Sequence, residues 1–327
     1  LNEDRSFAPN YQRALCRYFI DAGVGGIAVG VHSTQFAIRD PKYGLFETVM
    51  RETSRFIDEW CRFRNKKILK VGGVCGRTEQ AVGEAEFEKS CGYDAVLLSL
   101  AAFQNESLET MLEHCRKVAE IMPLIGFYLQ PRVGGQYLPL DFWRAFVRIE
   151  NVLAIKIAPF NRYCTFDVVR ALAESGREDI TLYTGNDDNL LIDLLSEYEI
   201  GGRKLRIKGG LLGHWSVWTK RAVELLEEVH TLIDSGKPIP PELLTRALKI
   251  TDANAAFFDA AHQFAGCIPG LHEVLHRQGL LPGIWCLDPE ETLSEGQRKE
   301  IIRVHEAYPE LNDDDFVAAN LEQWLSD

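Results

Sequence analysis

The sequence predicts an α/β protein: a (β/α)8 TIM barrel followed by a C-terminal helical domain. Three observations carry this. Seven short β-rich runs recur along the chain, and from the third onward their starts are 29, 27, 29 and 25 residues apart. Helical patterns fill the gaps between them. Beyond residue 236 the strands stop and only helical patterns follow. Strands alternating with helices at this period indicate a parallel sheet, and so many repeats favour a closed barrel over an open sheet.

In chain order the runs are Gly26–His32, Ile68–Val74, Ala95–Leu100, Leu124–Gln130, Asn151–Ala158, Ile180–Gly185 and Leu205–Gly210. Most are continuously apolar, as expected for parallel strands covered on both faces. Tyr11, Leu15, Tyr18, Phe19 and Ala22 form the stripe of a helix closed by Gly23. Thr78 and Ser107 stand where they can cap helices carrying Ala81, Val82, Ala85 and Phe87, and Leu108, Met111, Leu112, Cys115 and Val118. A helix over Trp215–Asp234 ends at Ser235–Gly236. Pro238, Pro240 and Pro241 then introduce helices over Pro241–Phe264, Pro269–Gln278, Leu293–Ala307 and Asp313–Trp324. The acidic run Asn312-Asp313-Asp314-Asp315 is expected to cap the last of them. The predicted division is therefore a catalytic barrel over 1–235 and a helical domain over 236–327. Seven strands are one short of eight, and a helix precedes the first, so the first barrel strand is expected ahead of Leu1.

Composition narrows the function. The 327 residues are 46% hydrophobic and carry 36 Lys and Arg against 48 Asp and Glu, a formal charge of −12. That sign disfavours nucleic acid and anionic membrane as partners, since both need a basic excess. No apolar run approaches the roughly 18 residues of a membrane span. The eight cysteines never occur as C-x-x-C, which reads as buried thiols in a reducing compartment, with the cytoplasm as the expected location. No G-x-G-x-x-G follows the first strand, against a dinucleotide-binding fold.

Barrel active sites lie at the C-terminal ends of the strands. Those ends carry His32-Ser33-Thr34, Ser99, Tyr128, Lys156, Thr184-Gly185-Asn186 and Lys208-Gly209-Gly210. Lys156, within Ala154-Ile155-Lys156-Ile157-Ala158, stands out. A lysine in an apolar strand is desolvated, which favours the neutral amine needed for a Schiff base. Read blandly, it is a strand-end lysine that snorkels or pairs with a carboxylate. Tyr128 is either a proton relay beside an imine or a core aromatic with a satisfied hydroxyl.

Tyr128 in Tyr128-Leu129-Gln130-Pro131, with Lys156 in Ile155-Lys156-Ile157 28 residues later, resembles the dihydrodipicolinate synthase / N-acetylneuraminate lyase family. Asp21–Gly26, Thr184–Asp187 and Gly279–Gly283 extend the likeness over nearly the whole chain. The resemblance implies a class I aldolase or dehydratase acting on a small 2-oxo acid through a Lys156 imine, with Tyr128 shuttling the proton. It implies no cofactor and no metal, and a homotetramer or homodimer. His32, Ser33, Thr34, Thr184, Gly185 and Gly209 are the implied substrate-binding positions. Three departures mark a divergent member: Gly30-Val31-His32-Ser33-Thr34 replaces the family's G-T-T-G-E, Ala101-Ala102 stands where the synthases carry a tyrosine pair, and Arg132 follows Pro131 directly.

Two other readings compete. One is a barrel that binds a metabolite without turnover. The other is a zinc hydrolase using His272-Glu273-Val274-Leu275-His276, an H-E-x-x-H pattern whose plain alternative is two histidines on an amphipathic helix.

Overall fold

Apolar runs between amphipathic helices produce, in a computed structural model describing residues 1–326, the following order of elements. The chain begins α1 (Pro9–Ala22), β1 (Gly26–Val29), α2 (Phe46–Arg64), β2 (Leu69–Val74), α3 (Thr78–Ser90), β3 (Ala95–Leu98), α4 (Leu108–Ile121) and β4 (Leu124–Leu129). It continues α5 (Leu140–Phe146), β5 (Val152–Ala158), α6 (Arg162–Ser175), β6 (Thr181–Thr184), α7 (Leu190–Leu195), β7 (Glu197–Ile200), β8 (Arg203–Arg206) and β9 (Gly209–Gly210). It ends with α8 (Thr219–Asp234), α9 (Pro241–Phe257), α10 (Cys267–Arg277), α11 (Gln297–Ala307) and α12 (Asp314–Leu325).

The main sheet has the order β1-β2-β3-β4-β5-β6-β9, the arrangement of a partial barrel with seven strands among the described residues. Each predicted run yields a strand, but the last run is divided between two sheets. Leu205 and Arg206 belong to an antiparallel hairpin of β7 with β8, and only Gly209–Gly210 joins the main sheet beside β6. The hairpin turn is Gly201-Gly202, both at positive φ, which glycine adopts without a Cβ penalty.

The chain divides into two compact units: Leu1–Lys70 with Gly213–Asp327, and Val71–Leu212. The expected boundary near residue 236 falls inside the first of these units. The C-terminal helices share a core with α1, α2 and α8 instead of forming a domain of their own. Two carboxylates tie that first unit together. Buried Asp313 accepts from the Tyr18 hydroxyl at 2.7 Å, from Lys220 N–H at 3.0 Å and from Gln278 Nε2 at 2.8 Å. Its burial pushes its pKa up, and the Tyr18 bond is the largest effect opposing that. Asp21 accepts from Trp60 Nε1, Arg64 and Trp324 Nε1 at 2.6–3.0 Å. Asp313 therefore does not cap α12 with its side chain as the acidic run suggested; its carboxylate is turned into the core.

The caps follow the same logic of competing partners. Gly23 closes α1 at φ 101°, and Ser107 accepts from Thr110 N–H at the start of α4. Thr78 does not cap α3, because its hydroxyl pairs with His114 Nδ1 at 3.0 Å.

In the second unit, β2 to β6 and β9 run parallel with defined register. Phe127 lies opposite Lys156, Tyr128 opposite Ile157, Lys156 opposite Tyr183, and Tyr183 opposite Gly209. The helix-covered face is identified by Gly126, where an added Cβ would meet the Phe146 ring at 2.6 Å. Side chains alternate between faces, so this register decides which residues can meet.

Asp313→Ala strips the acceptor from the buried Tyr18 hydroxyl and from two part-buried donors, Lys220 N–H and Gln278 Nε2, and an unsatisfied buried donor costs ~1–3 kcal/mol. A loss of about 3 kcal/mol in urea unfolding is expected; a loss below about 1 kcal/mol would show that the hub does not hold the helices together.

Candidate active site

Lys156 projects from the middle of β5, whose neighbours on both sides are strands. Burial leaves it 9% exposed. Among the described residues its Nζ has no hydrogen bond and no ion pair, and it sits 4.4 Å from the centroid of the Phe127 ring. Burial lowers its pKa from 10.5 to about 8, with the charge of Asp187 pulling the other way. The chain's other buried strand lysine shows the contrast. Lys70, in β2, is neutralised by Asp58 at 2.7 Å and bonded to Ser54 at 3.0 Å. The bland reading of a strand lysine describes Lys70; Lys156 is held differently.

Space for the Lys156 stem comes from Gly185. A Cβ there would lie 2.9 Å from Lys156 Cε and 2.7 Å from Ala158 Cβ. The Gly185 N–H donates to Ile157 O at 2.7 Å, which locks the loop after β6 against β5. Phe127, Lys156, Ala158, Tyr183, Gly185 and Gly209 thus share the face away from the helices.

Tyr128 and Thr184 do not. The register sets Tyr128 beside Ile157, its ring 5.2 Å from Trp143 of α5 and its hydroxyl accepting Leu138 N–H at 3.2 Å. Burial raises its pKa, and a hydrogen bond with Cys164 of α6 adds to this. Side-chain alternation thus sets the Tyr128 phenol on the side of α5 and α6 in this structure. Thr184, expected to bind substrate, is fully buried on the same helical side. It donates to Asp193 Oδ2 at 2.6 Å and accepts from Asn186 N–H at 3.1 Å. Asn186 Nδ2 donates to Asp193 at 2.9 Å and to Thr165 at 3.2 Å, and Arg162 pairs with Asp193. Thr184 therefore holds the loop in place from behind rather than facing a ligand.

His32, Ser33 and Thr34 lie in the first unit, in a 3-10 turn after β1. The His32 ring is 6.2 Å from that of Phe36. The next residue, Gln35, is buried at φ 62° and accepts Leu287 N–H at 2.6 Å. Sequence reasoning passes over two residues beside the amine. Tyr183 shares its face, and the charge of Asp187 acts on it, raising its pKa. The signal for Tyr183 is its place one residue before Thr184, but its face cannot be read without the register.

The H-E-x-x-H pattern is otherwise employed. Glu273 is buried between Arg277 at 3.0 Å and Arg298 at 3.2 Å. His272 Nδ1 and His276 Nδ1 face the carbonyls of Ile284 and Leu281 at 3.4 and 3.0 Å. Among the described residues no three His, Cys, Asp or Glu side chains gather as a metal would require. The zinc reading is set aside on these partners.

The profile of the Dihydrodipicolinate synthetase family matches residues 1–203. The chain belongs to this family. It is 26% identical over 199 residues to a 4-hydroxy-tetrahydrodipicolinate synthase of Acaryochloris marina, covering 60% of this chain and 58% of that one. Against the enzyme of that name from Methanothermobacter thermautotrophicus it is 22% identical over 271 residues, covering 79% and 91%. The chain spans about three-fifths of the length of curated relatives such as the first. In fold it is similar to a prophage protein of Escherichia coli K12 from the dihydrodipicolinic acid synthase family, solved in complex with pyruvate, with TM-score 0.74, 15% identity and 95% of each chain covered. No helix among the described residues is long and apolar enough to cross a membrane.

Gly185→Ala should crowd Lys156 without removing it. In competitive reductive methylation with formaldehyde, read by peptide mass mapping, labelling of Lys156 relative to the other lysines is expected to fall about tenfold, the equivalent of ~1.4 kcal/mol. Unchanged labelling would mean that Gly185 does not set the amine's position.

Proposed function

We propose that this chain is a lyase in which Lys156 attacks the C2 carbonyl of a small 2-oxo acid. The observation that carries the reading is the buried, unpaired amine on the face of the sheet turned away from α5 and α6. Family membership supports Schiff-base chemistry in general. The pyruvate held by the Escherichia coli relative supports a small 2-oxo acid.

The chemistry needs a lone pair. At pH 7 a lysine of ordinary pKa is neutral in about one molecule in 3,000, against about one in ten when the pKa is near 8. Burial therefore raises the reactive fraction about 300-fold before any positioning effect. Phe127 beneath the amine keeps water off one side of it, and its negative ring face favours the positive iminium once formed. The iminium is the electron sink: it accepts the pair left by breaking a carbon–carbon bond, or by proton loss before dehydration. Both outcomes use the same Lys156 adduct, and the chemistry asks for no metal or organic cofactor.

Borohydride reduction in the presence of pyruvate should leave a covalent adduct that maps to Lys156 and is absent from Lys156→Met. Failure to find it with pyruvate and a panel of other 2-oxo acids would reject the Schiff-base reading. The trapping rate carries its own sign. Protonation ties up the lone pair, so the rate should climb about tenfold per pH unit below pH 8 and flatten above it. A climb continuing to pH 10 would mean that the amine is not desolvated.

A further inference from the structure

Leu190–Leu195 is an apolar helix with one charged residue in it, Asp193, and that residue is fully buried. A buried carboxylate is costly unless its oxygens are hydrogen-bonded, so its partners bear on its role. We propose that Asp193 is a positioning residue for Lys156: acting from the helical side of the sheet, its carboxylate holds the loop after β6 so that Gly185 closes on the lysine stem and keeps the amine out of water. That this serves catalysis rests on the Schiff-base reading above.

The loop runs Thr184-Gly185-Asn186-Asp187. Asp193 Oδ2 accepts from the Thr184 hydroxyl at 2.6 Å and from Asn186 Nδ2 at 2.9 Å, and Oδ1 pairs with Arg162 at the start of α6. Thr184 and Asn186 flank Gly185. Thr184 Oγ1 also accepts the Asn186 N–H at 3.1 Å, across the glycine. Gly185 is therefore the apex of a short turn whose two ends are fixed to one carboxylate. The turn is fixed to β5 and its end as well: the Gly185 N–H donates to Ile157 O at 2.7 Å, and Asn186 Oδ1 accepts the Phe160 N–H at 3.0 Å. This seats Gly185 where a Cβ would stand 2.9 Å from Lys156 Cε. Asp193 binds the turn from the face opposite Lys156, so its effect on the amine passes through Gly185.

The chemistry of the carboxylate matters. Three donors converge on it, and an ionised carboxylate is acceptor-only. Asparagine keeps the shape but offers one oxygen and turns an NH2 group toward a donor, so a bond to the turn is lost. A loosened turn lifts Gly185 off the lysine stem and admits water, which favours the ammonium. It also carries Asp187 away, which acts in the opposite sense. Burial is the larger of the two influences on Lys156, so the net movement is toward a more basic amine.

The experiment is a 13C titration of the lysine ε carbons, with borohydride trapping by pyruvate followed from pH 7 to pH 10. In Asp193→Asn the Lys156 midpoint should rise by about one pH unit. Trapping at pH 7 and saturating pyruvate should then slow about tenfold, because the neutral fraction falls with the midpoint. At pH 10, above both midpoints, the two proteins should trap within about threefold of each other, a displacement along the pH axis that mere loss of folded protein would not give. Arg162→Gln withdraws the partner from a half-exposed position and should move the midpoint the same way by about half as much. Val168→Ala, in the core of the same unit, costs stability by packing alone and should leave the midpoint within about 0.2 pH unit. An unmoved midpoint in Asp193→Asn overturns the inference, and so does an equal rise in Val168→Ala. Should Asp193→Asn fail to fold, an unmoved midpoint in Arg162→Gln overturns it. Absence of any adduct in the wild type rejects the Schiff-base reading, while the midpoint, read without pyruvate, still decides whether Asp193 positions the amine.

Discussion

The register of three parallel strands is the constraint on which the site depends. Because side chains alternate along a strand, pairing Phe127 with Lys156 and Lys156 with Tyr183 commits all three to one face. The same pairing sends Tyr128, Ile157 and Thr184 to the other. A slip of one residue between β4 and β5 would exchange these sets. The register is held where it matters by bulk on the helical side: Gly126 receives the edge of Phe146, and Tyr128 packs on Trp143. The aromatic layer behind the sheet therefore does not react, but it decides what can.

On that face, the energetics turn on one amine. Burying a lysine without a carboxylate penalises its charged form, and the fold accepts this at Lys156 while relieving it at Lys70 with Asp58. The same unpaired burial that weakens the fold at neutral pH makes the amine nucleophilic. The neighbouring network of Thr184, Asn186, Asp193 and Arg162 is satisfied by comparison. It fixes the loop that brings Gly185 against the lysine stem. The desolvated amine thus stands beside a loop whose buried polar groups are hydrogen-bonded, as positioned groups require.

Much of this is legible in the sequence. The strands are, because short apolar runs set between amphipathic stripes suit a covered parallel sheet, and Lys156 is, because a lysine in such a run is anomalous. The face of Tyr128 is not. An all-apolar strand carries no alternation to show which side is covered, so spacing alone does not separate a relay from a packing aromatic. The β7–β8 hairpin is readable in principle, from the alternation in Glu197–Ile200 and the Gly201-Gly202 turn, but the expectation of another parallel strand masks it. The division into units is out of reach. It depends on Asp313 reaching Tyr18 across 295 positions, and on Asp21 meeting Trp324. No local pattern announces such contacts.

The Lys156 amine is buried and unpaired, and its burial lowers its pKa; the chemistry proposed for the site rests on that. Its most direct test is a titration of the intact chain labelled with 13C at the lysine ε carbons, the Lys156 resonance being assigned by its loss in Lys156→Met. A midpoint near 8 is expected for that resonance, set apart from lysines titrating above 10. A Lys156 midpoint above 10 would contradict it, and would return this residue to the role that Lys70 plays.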